Sequence, residues 1–149
     1  MNLLAGLLVP SKIITNYWIV QQIEGNIINI ASMSSYNPLS GVWAYNAAKA
    51  AVKNLTTGMA REFASYNIRV NAIAPGFFLG NQNRALLINQ ETEELTERGK
   101  NIIDRTPFKR FGNYDELEGV TLFLASLRAS GFITGTTIPV DGGYLTNNI

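Results

Sequence analysis

Neither cysteine nor histidine occurs among the 149 residues. Their absence excludes disulfide scaffolds, thiol nucleophiles, the usual zinc ligand sets and any hydrolytic triad that passes its proton through an imidazole. An excess of one charge is missing too. Twelve Lys and Arg face eleven Asp and Glu, a net charge of +1, so no broad electrostatic footprint for nucleic acid or a membrane surface is expected. None of the thirteen glycines falls in a Gly-x-Gly-x-x-Gly pattern, the turn that seats a dinucleotide pyrophosphate. Charge is scarce early in the chain: Lys12, Glu24, Lys49 and Lys53 are the only charged residues of the first 60. Pro10, Ser11, Lys12 and Asn16 interrupt the apolar run from Leu3 to Val20. The expectation is therefore a buried helix over residues 3–23, not a signal peptide or a membrane span.

What is present centres on Asn26 to Lys49. Ile27-Ile28-Asn29-Ile30-Ala31 is a short β-branched run, suited to a strand buried on both faces of a parallel sheet. A loop of Ser, Asn, Pro and Gly follows, and an alanine-rich helix starts at about Trp43. Tyr45 and Lys49 are four residues apart on that helix and share a face. Ser32 is the first polar side chain after the strand, at the carboxyl end where open α/β sheets bind ligands. Reducing a ketone, or oxidising an alcohol, needs a proton donor or acceptor at oxygen. A phenol is a poor base near neutrality, a neighbouring ammonium favours its phenolate, and a serine hydroxyl can hold the substrate oxygen.

The order Ser32, Tyr45, Lys49 resembles the catalytic signature of the short-chain dehydrogenases/reductases. Gly25-Asn26-Ile27-Ile28-Asn29-Ile30 resembles that family's serine-bearing strand. Ile68-Arg69-Val70-Asn71-Ala72-Ile73-Ala74-Pro75-Gly76 resembles its next strand and Pro-Gly turn, and Arg110-Phe111-Gly112 and Val140-Asp141-Gly142-Gly143 its C-terminal segments. The resemblance implies Tyr45 as proton donor or acceptor, Lys49 as the cation that assists it and binds the cofactor ribose, and Ser32 as the group orienting the substrate oxygen. It implies NAD or NADP as cofactor, with Tyr45, Lys49, Pro75 and Gly76 in contact with it. Relatives often place a threonine shortly after the glycine, where this chain has Leu79 and Gly80. Relatives also carry an asparagine in the helix before the serine strand, for which Asn2 is one residue out of register. The resemblance further implies a homo-oligomer through helices 3–23 and 43–65, and a cytoplasmic location. On pattern alone, Ala48, Val52, Leu55, Met59 and Phe63 read as core.

Pro-Gly-Phe-Phe followed by Asn-Gln-Asn-Arg-Ala-Leu-Leu looks like the subgroup of mannonate oxidoreductases, or fructuronate reductases, whose substrates are sugar acids. Asn81, Gln82 and Arg84 are then substrate candidates: the guanidinium would clamp a carboxylate and the amides would meet hydroxyls. A capped surface helix with an exposed arginine is the alternative. A helix is expected from Thr92 to Ile103 with its charges solvated, another from Tyr114 to Ser126, and strands at Ile68–Ala74 and Thr136–Val140. Asp141-Gly142-Gly143 reads as a turn.

The expected fold class is α/β: about three parallel strands with flanking helices, the C-terminal half of a doubly wound Rossmann-like sheet. Residues 1–149 would form one partial domain, with the glycine-rich dinucleotide-binding part outside it. The function implied is an NAD(P)-dependent oxidoreductase interconverting a keto and a hydroxy group, on a sugar acid such as mannonate or fructuronate. A noncatalytic remnant that only associates with other subunits is the alternative. No metal, nucleic-acid or membrane partner is expected.

Overall fold

The computed structural model describes residues 5–81 and 83–146. Asn2, Leu3 and Gln82 lie outside the described residues. Three parallel strands, β1 (Gly25–Ile30), β2 (Ile68–Pro75) and β3 (Thr137–Val140), form one sheet in the order β1-β2-β3. Gly25 faces Ile68 and Ile30 faces Ile73, while Ala72 faces Thr137 and Pro75 faces Val140. This is the expected Rossmann-like α/β arrangement, with parallel neighbours linked by helical crossovers.

The two faces of β2 recruit different helices. Ile68, Val70, Ala72 and Ala74 are buried against α2 (Trp43–Phe63), whose Val52, Met59 and Ala60 fill the same core. The stripe expected on α2 is thus core in part: Val52 and Met59 are buried, and Leu55 and Phe63 pack against the cluster half-buried. Thr56 is also buried there, accepting from Asn29 Nδ2 at 2.9 Å and donating to Val52 O at 2.8 Å. The bond from Asn29 ties the helix to β1, and the one to Val52 O holds the hydroxyl against its own helix.

Opposite, Arg69 and Asn71 are buried. The Arg69 guanidinium donates to Leu124 O at 3.0 Å and Ser130 O at 3.1 Å, the terminal carbonyls of α5 (Glu118–Ala125) and α6 (Leu127–Ser130). Asn71 donates to Ile133 O and accepts from Thr136 N. A cation at helix C-termini satisfies carbonyls that have no partner within the helix.

Two expectations need correction. The first helix, α1 (Ala5–Gln21), is not buried: only Ser11 and Thr15 are, and Val9, Ile13 and Val20 stand 56%, 66% and 75% exposed. Ser11, Thr15 and the half-buried Leu7, Trp18 and Ile19 face the core, and most of the other large apolar side chains face out. Nor is β1 buried on both faces. It is half-buried along most of its length, because it pairs only with β2 among the described residues.

After β2 the chain forms the short helix α3 (Arg84–Leu87) and then α4 (Glu97–Arg105). The latter starts later than the expected Thr92, because Thr96 Oγ1 accepts from Gly99 N and caps it. Glu93, with φ of 56°, lies in the turn before it. The helix expected from Tyr114 opens as a 3-10 turn, Tyr114–Leu117, before α5. Asp141 forms the expected turn, accepting from Gly143 N and Leu145 N at 2.9 Å each. No helix among the described residues is long and apolar enough to cross a membrane.

Candidate active site

Ser32 follows β1 as the N-cap of the 3-10 turn Met33–Ser35. It is buried, and its Oγ accepts from the Ser34 backbone N–H and from Ser34 Oγ, both at 3.1 Å. With both acceptor positions occupied, the Ser32 proton is left to donate.

Tyr45 and Lys49 stand one turn apart in the first part of α2. Lys49 Nζ lies 5.8 Å from the centroid of the Tyr45 ring, within cation–π range. It donates to Ile30 O at 2.8 Å, which holds it at the carboxyl end of β1, two residues before Ser32. One of the three ammonium donors is thereby used, leaving two. Partial burial pushes the Lys49 ammonium below its ordinary value. Tyr45 is 39% exposed.

Asn46, buried beside Tyr45, fixes the loop between Ser32 and α2. Its amide donates to Leu39 O at 2.7 Å and accepts from Leu39 N at 3.2 Å. Ser35 Oγ adds a bond to Lys49 O at 2.8 Å. A second phenol–ammonium pair shows the difference between structure and chemistry. Tyr36 Oη donates to Thr137 O at 2.9 Å, and Lys53 Nζ sits 3.9 Å over its ring. Burial pushes the Tyr36 phenol up, partly offset by that bond. Tyr36 is engaged in joining the loop to β3, whereas the Tyr45 ring opens to solvent.

Pro75 and Gly76 close β2 at the same carboxyl end of the sheet. Gly76 N donates to Val140 O at 2.9 Å, and a Cβ at Gly76 would lie 2.6 Å from Asp141 Cα. Glycine is therefore required here by the close approach of the Asp141 backbone, whatever else meets the turn.

The substrate candidates separate. Asn81 and Arg84 are exposed, and Arg84 opens α3. The neighbouring Asn83 is structural: it accepts from Gly80 N and donates to Phe78 O, both at 2.8 Å. Sequence reasoning missed a different set. A cavity of about 470 Å³ has Arg98, Asn101, Ile102 and Arg105 of α4 on one wall and Leu39, Ser40, Phe77 and Tyr144 facing them. The spacing i, i+3, i+4, i+7 was the signal, since it puts those four residues on one helix face.

A parallel sheet with helices on both faces, a serine ending one strand, and a phenol and an ammonium one turn apart on the next helix define a Rossmann-like fold of the dehydrogenase type. The chain belongs to the short-chain dehydrogenase/reductase family: the family model described as enoyl-(acyl carrier protein) reductase matches residues 6–145. It is 55% identical over 119 residues to the uncharacterized oxidoreductase UxuB of Bacillus subtilis, covering 80% of this chain and 42% of that protein. A candidate D-mannonate oxidoreductase from Haemophilus influenzae, solved with bound NAD, superposes with a TM-score of 0.78 at 46% identity, over 83% of this chain and 44% of that one. A gluconate 5-dehydrogenase from Burkholderia cenocepacia, solved with NADP and tartrate, does so with a TM-score of 0.77 at 39% identity, over 88% and 48%. The chain spans less than half the length of each of these three proteins.

Proposed function

We propose that this chain carries the proton-transfer half of an NAD(P)-dependent oxidoreductase that interconverts a keto and a hydroxy group on a sugar acid. The observation that carries the reading is the placement of Lys49: its ammonium is fixed to Ile30 O beside Ser32 and shares a helix face with the open Tyr45. The sugar-acid class follows from the mannonate and gluconate enzymes named above.

The residues present fit one end of a nicotinamide nucleotide. Lys49 has two donors left for ribose hydroxyls, and Tyr45 stands beside it. No glycine-rich phosphate turn occurs in the sequence, so the pyrophosphate would be held by residues other than these. When bound, the nicotinamide supplies or accepts the hydride. Ser32 donates to the substrate oxygen, and Tyr45 Oη delivers a proton to that oxygen in reduction or removes it in oxidation. Lys49 provides the positive field around this exchange. The cytoplasm, where such nucleotides are held, is the compartment that goes with this reading. So is a homo-oligomer through α1 and α2, on which Val9, Ile13, Val20 and Trp43 are exposed.

A second reading, a noncatalytic chain that associates with other subunits, is favoured by the outer edge of β1, which pairs with no strand among the described residues. One experiment separates them. The chain is titrated with NADH and NADPH by nicotinamide fluorescence, and D-mannonate and D-gluconate oxidation are assayed. Tyr45→Phe should lower turnover by about a hundredfold or more with nucleotide binding retained, and Lys49→Met should weaken the binding. A folded chain that binds neither nucleotide would leave the associating role.

A further inference from the structure

Ser34 carries a buried hydroxyl that the proton-transfer steps leave without a task. The residue is 3% exposed, and its Oγ has one partner among the described residues, Ser32 Oγ at 3.1 Å. Both serines belong to the turn Met33–Ser35 and its cap. Bonds from Ser35 N to Ser32 O at 2.9 Å and from Tyr36 N to Met33 O at 3.0 Å hold that turn, and Met33 is buried within it. Ser35 Oγ joins the turn to α2 through Lys49 O at 2.8 Å. Ser32 and Ser34 therefore have little freedom to move apart.

The direction of the hydroxyl contact decides what Ser32 can do. Ser34 Oγ donates and Ser32 Oγ accepts. Reversed, the contact would consume the Ser32 proton inside the turn and leave the Ser34 proton buried without an acceptor. As it stands, the Ser34 backbone N–H and hydroxyl fill both lone pairs of Ser32. Ser32 then meets a ligand as a donor only. Such a hydroxyl suits a carbonyl oxygen, or the negative oxygen that develops from an alcohol. It does not accept the proton of a substrate hydroxyl, which leaves that proton for Tyr45 Oη.

We propose that Ser34 is a positioning residue for the interconversion of keto and hydroxy groups: its hydroxyl keeps Ser32 a donor and so directs the substrate proton to Tyr45. The role rests on the oxidoreductase reading above. Ser34→Ala removes only the hydroxyl contact, because the backbone N–H that Ser32 accepts in capping the turn remains. One lone pair of Ser32 is then open to the substrate alcohol, which can bind in an unproductive pose. For oxidation, kcat should fall about tenfold with KM unchanged or lower. A general loosening of the turn would raise KM instead.

The test has two arms on the same chain. In the first, serine hydroxyl protons of the unsubstituted chain are followed by NMR at low temperature. The Ser34 proton should show an NOE to the Ser32 β-protons and exchange at least about tenfold more slowly than the Ser32 proton. In the second, oxidation of D-gluconate and D-mannonate with NAD or NADP is compared for the unsubstituted chain and Ser34→Ala. NADH affinity is expected to differ by less than about twofold between them, since Ser34 is not among the groups placed at the nucleotide. The proposal is overturned if the Ser32 proton is the protected one, if Ser34→Ala keeps the unsubstituted kcat, or if the variant loses activity through a higher KM. A chain with the Ser34 proton protected that oxidises neither sugar acid sinks the oxidoreductase reading and leaves Ser32 a donor. An active chain with the Ser32 proton protected does the reverse.

Discussion

Strands β1 and β2 are both isoleucine-bearing and parallel, yet they occupy different environments. Ile30 and Ile73 are register partners, but Ile30 is 54% exposed and Ile73 is 1% exposed. The difference comes from neighbours, not from side-chain type. On β2, sheet partners on both edges and helices on both faces close every direction. On β1, one edge and much of one face remain open, and α1 above it turns Val9, Ile13 and Val20 outward. The candidate site spans this divide. Tyr45 and Lys49 ride on a helix anchored by buried Val52 and Thr56, whereas the carbonyl that holds Lys49 belongs to the open strand, and Ser32 follows two residues later. Whatever covers or leaves open the β1 edge therefore lies beside the strand whose Ile30 carbonyl holds Lys49.

The largest test of that contrast uses the paired isoleucines. Ile73→Ala should cost about 3 kcal/mol, the loss expected when a fully buried side chain is truncated. Ile30→Ala should cost less than about 1 kcal/mol. Urea denaturation reads both, with the slope held constant so that the midpoint reports stability. Equal losses at the two positions would show that the outer side of β1 is covered in solution, and would overturn the division drawn here.

A smaller effect separates two glycines. A Cβ on Gly76 would press on the Asp141 backbone, so Gly76→Ala should destabilise by about 1–3 kcal/mol through overpacking. Gly6, in α1, has nothing within 4 Å of the added Cβ. Gly6→Ala should instead stabilise by up to about 1 kcal/mol, the helix-propensity difference. Thermal midpoints of the two variants check the opposite signs, and destabilisation at Gly6 would mean that the exposed flank of α1 is packed against something.

These contrasts also mark what was legible in the sequence. Local signals carried far: a β-branched run places β1 within about two residues, and a Pro-Gly turn and an Asp-Gly-Gly turn place the ends of β2 and β3 within about one. Asn67 adopts the left-handed conformation that asparagine tolerates, with φ of 55°. The spacing of Tyr45 and Lys49 needs only helical geometry. Burial was less legible, because it depends on partners far along the chain. Arg69 and Asn71 interrupt an otherwise apolar strand, and the Arg69 acceptors Leu124 and Ser130 lie 55 and 61 residues away. The start of α4 was misplaced because Thr92 and Thr96 are both cap residues, and only the bond from Gly99 N to Thr96 distinguishes them. Arg98 and Arg105 read as solvated charge because the wall opposite them comes from distant segments, around Ser40, Phe77 and Tyr144.

The smallest effect concerns a surface ion pair near the closed end of the sheet. Glu116 is held well down, to about 2, first by its bonds from the Arg110 guanidinium and then by the Asn113 backbone N–H. The same contact raises Arg110. A carboxyl depressed by folding contributes stability above its unfolded value and loses it as pH falls through the folded one. For Glu116 that window runs from its ordinary value of 4.5 down to about 2. The pair is solvent-facing, so salt screens it and its share of global stability is slight. Carboxyl carbon shifts followed across pH should place the Glu116 midpoint near 2 at low salt. Arg110→Met should move it upward, though not fully to the ordinary value, because the Asn113 N–H remains. A midpoint near 4.5 with Arg110 intact would mean that the bidentate contact is not maintained in solution, and the 3-10 turn that opens α5 would lose the cap on which its position depends.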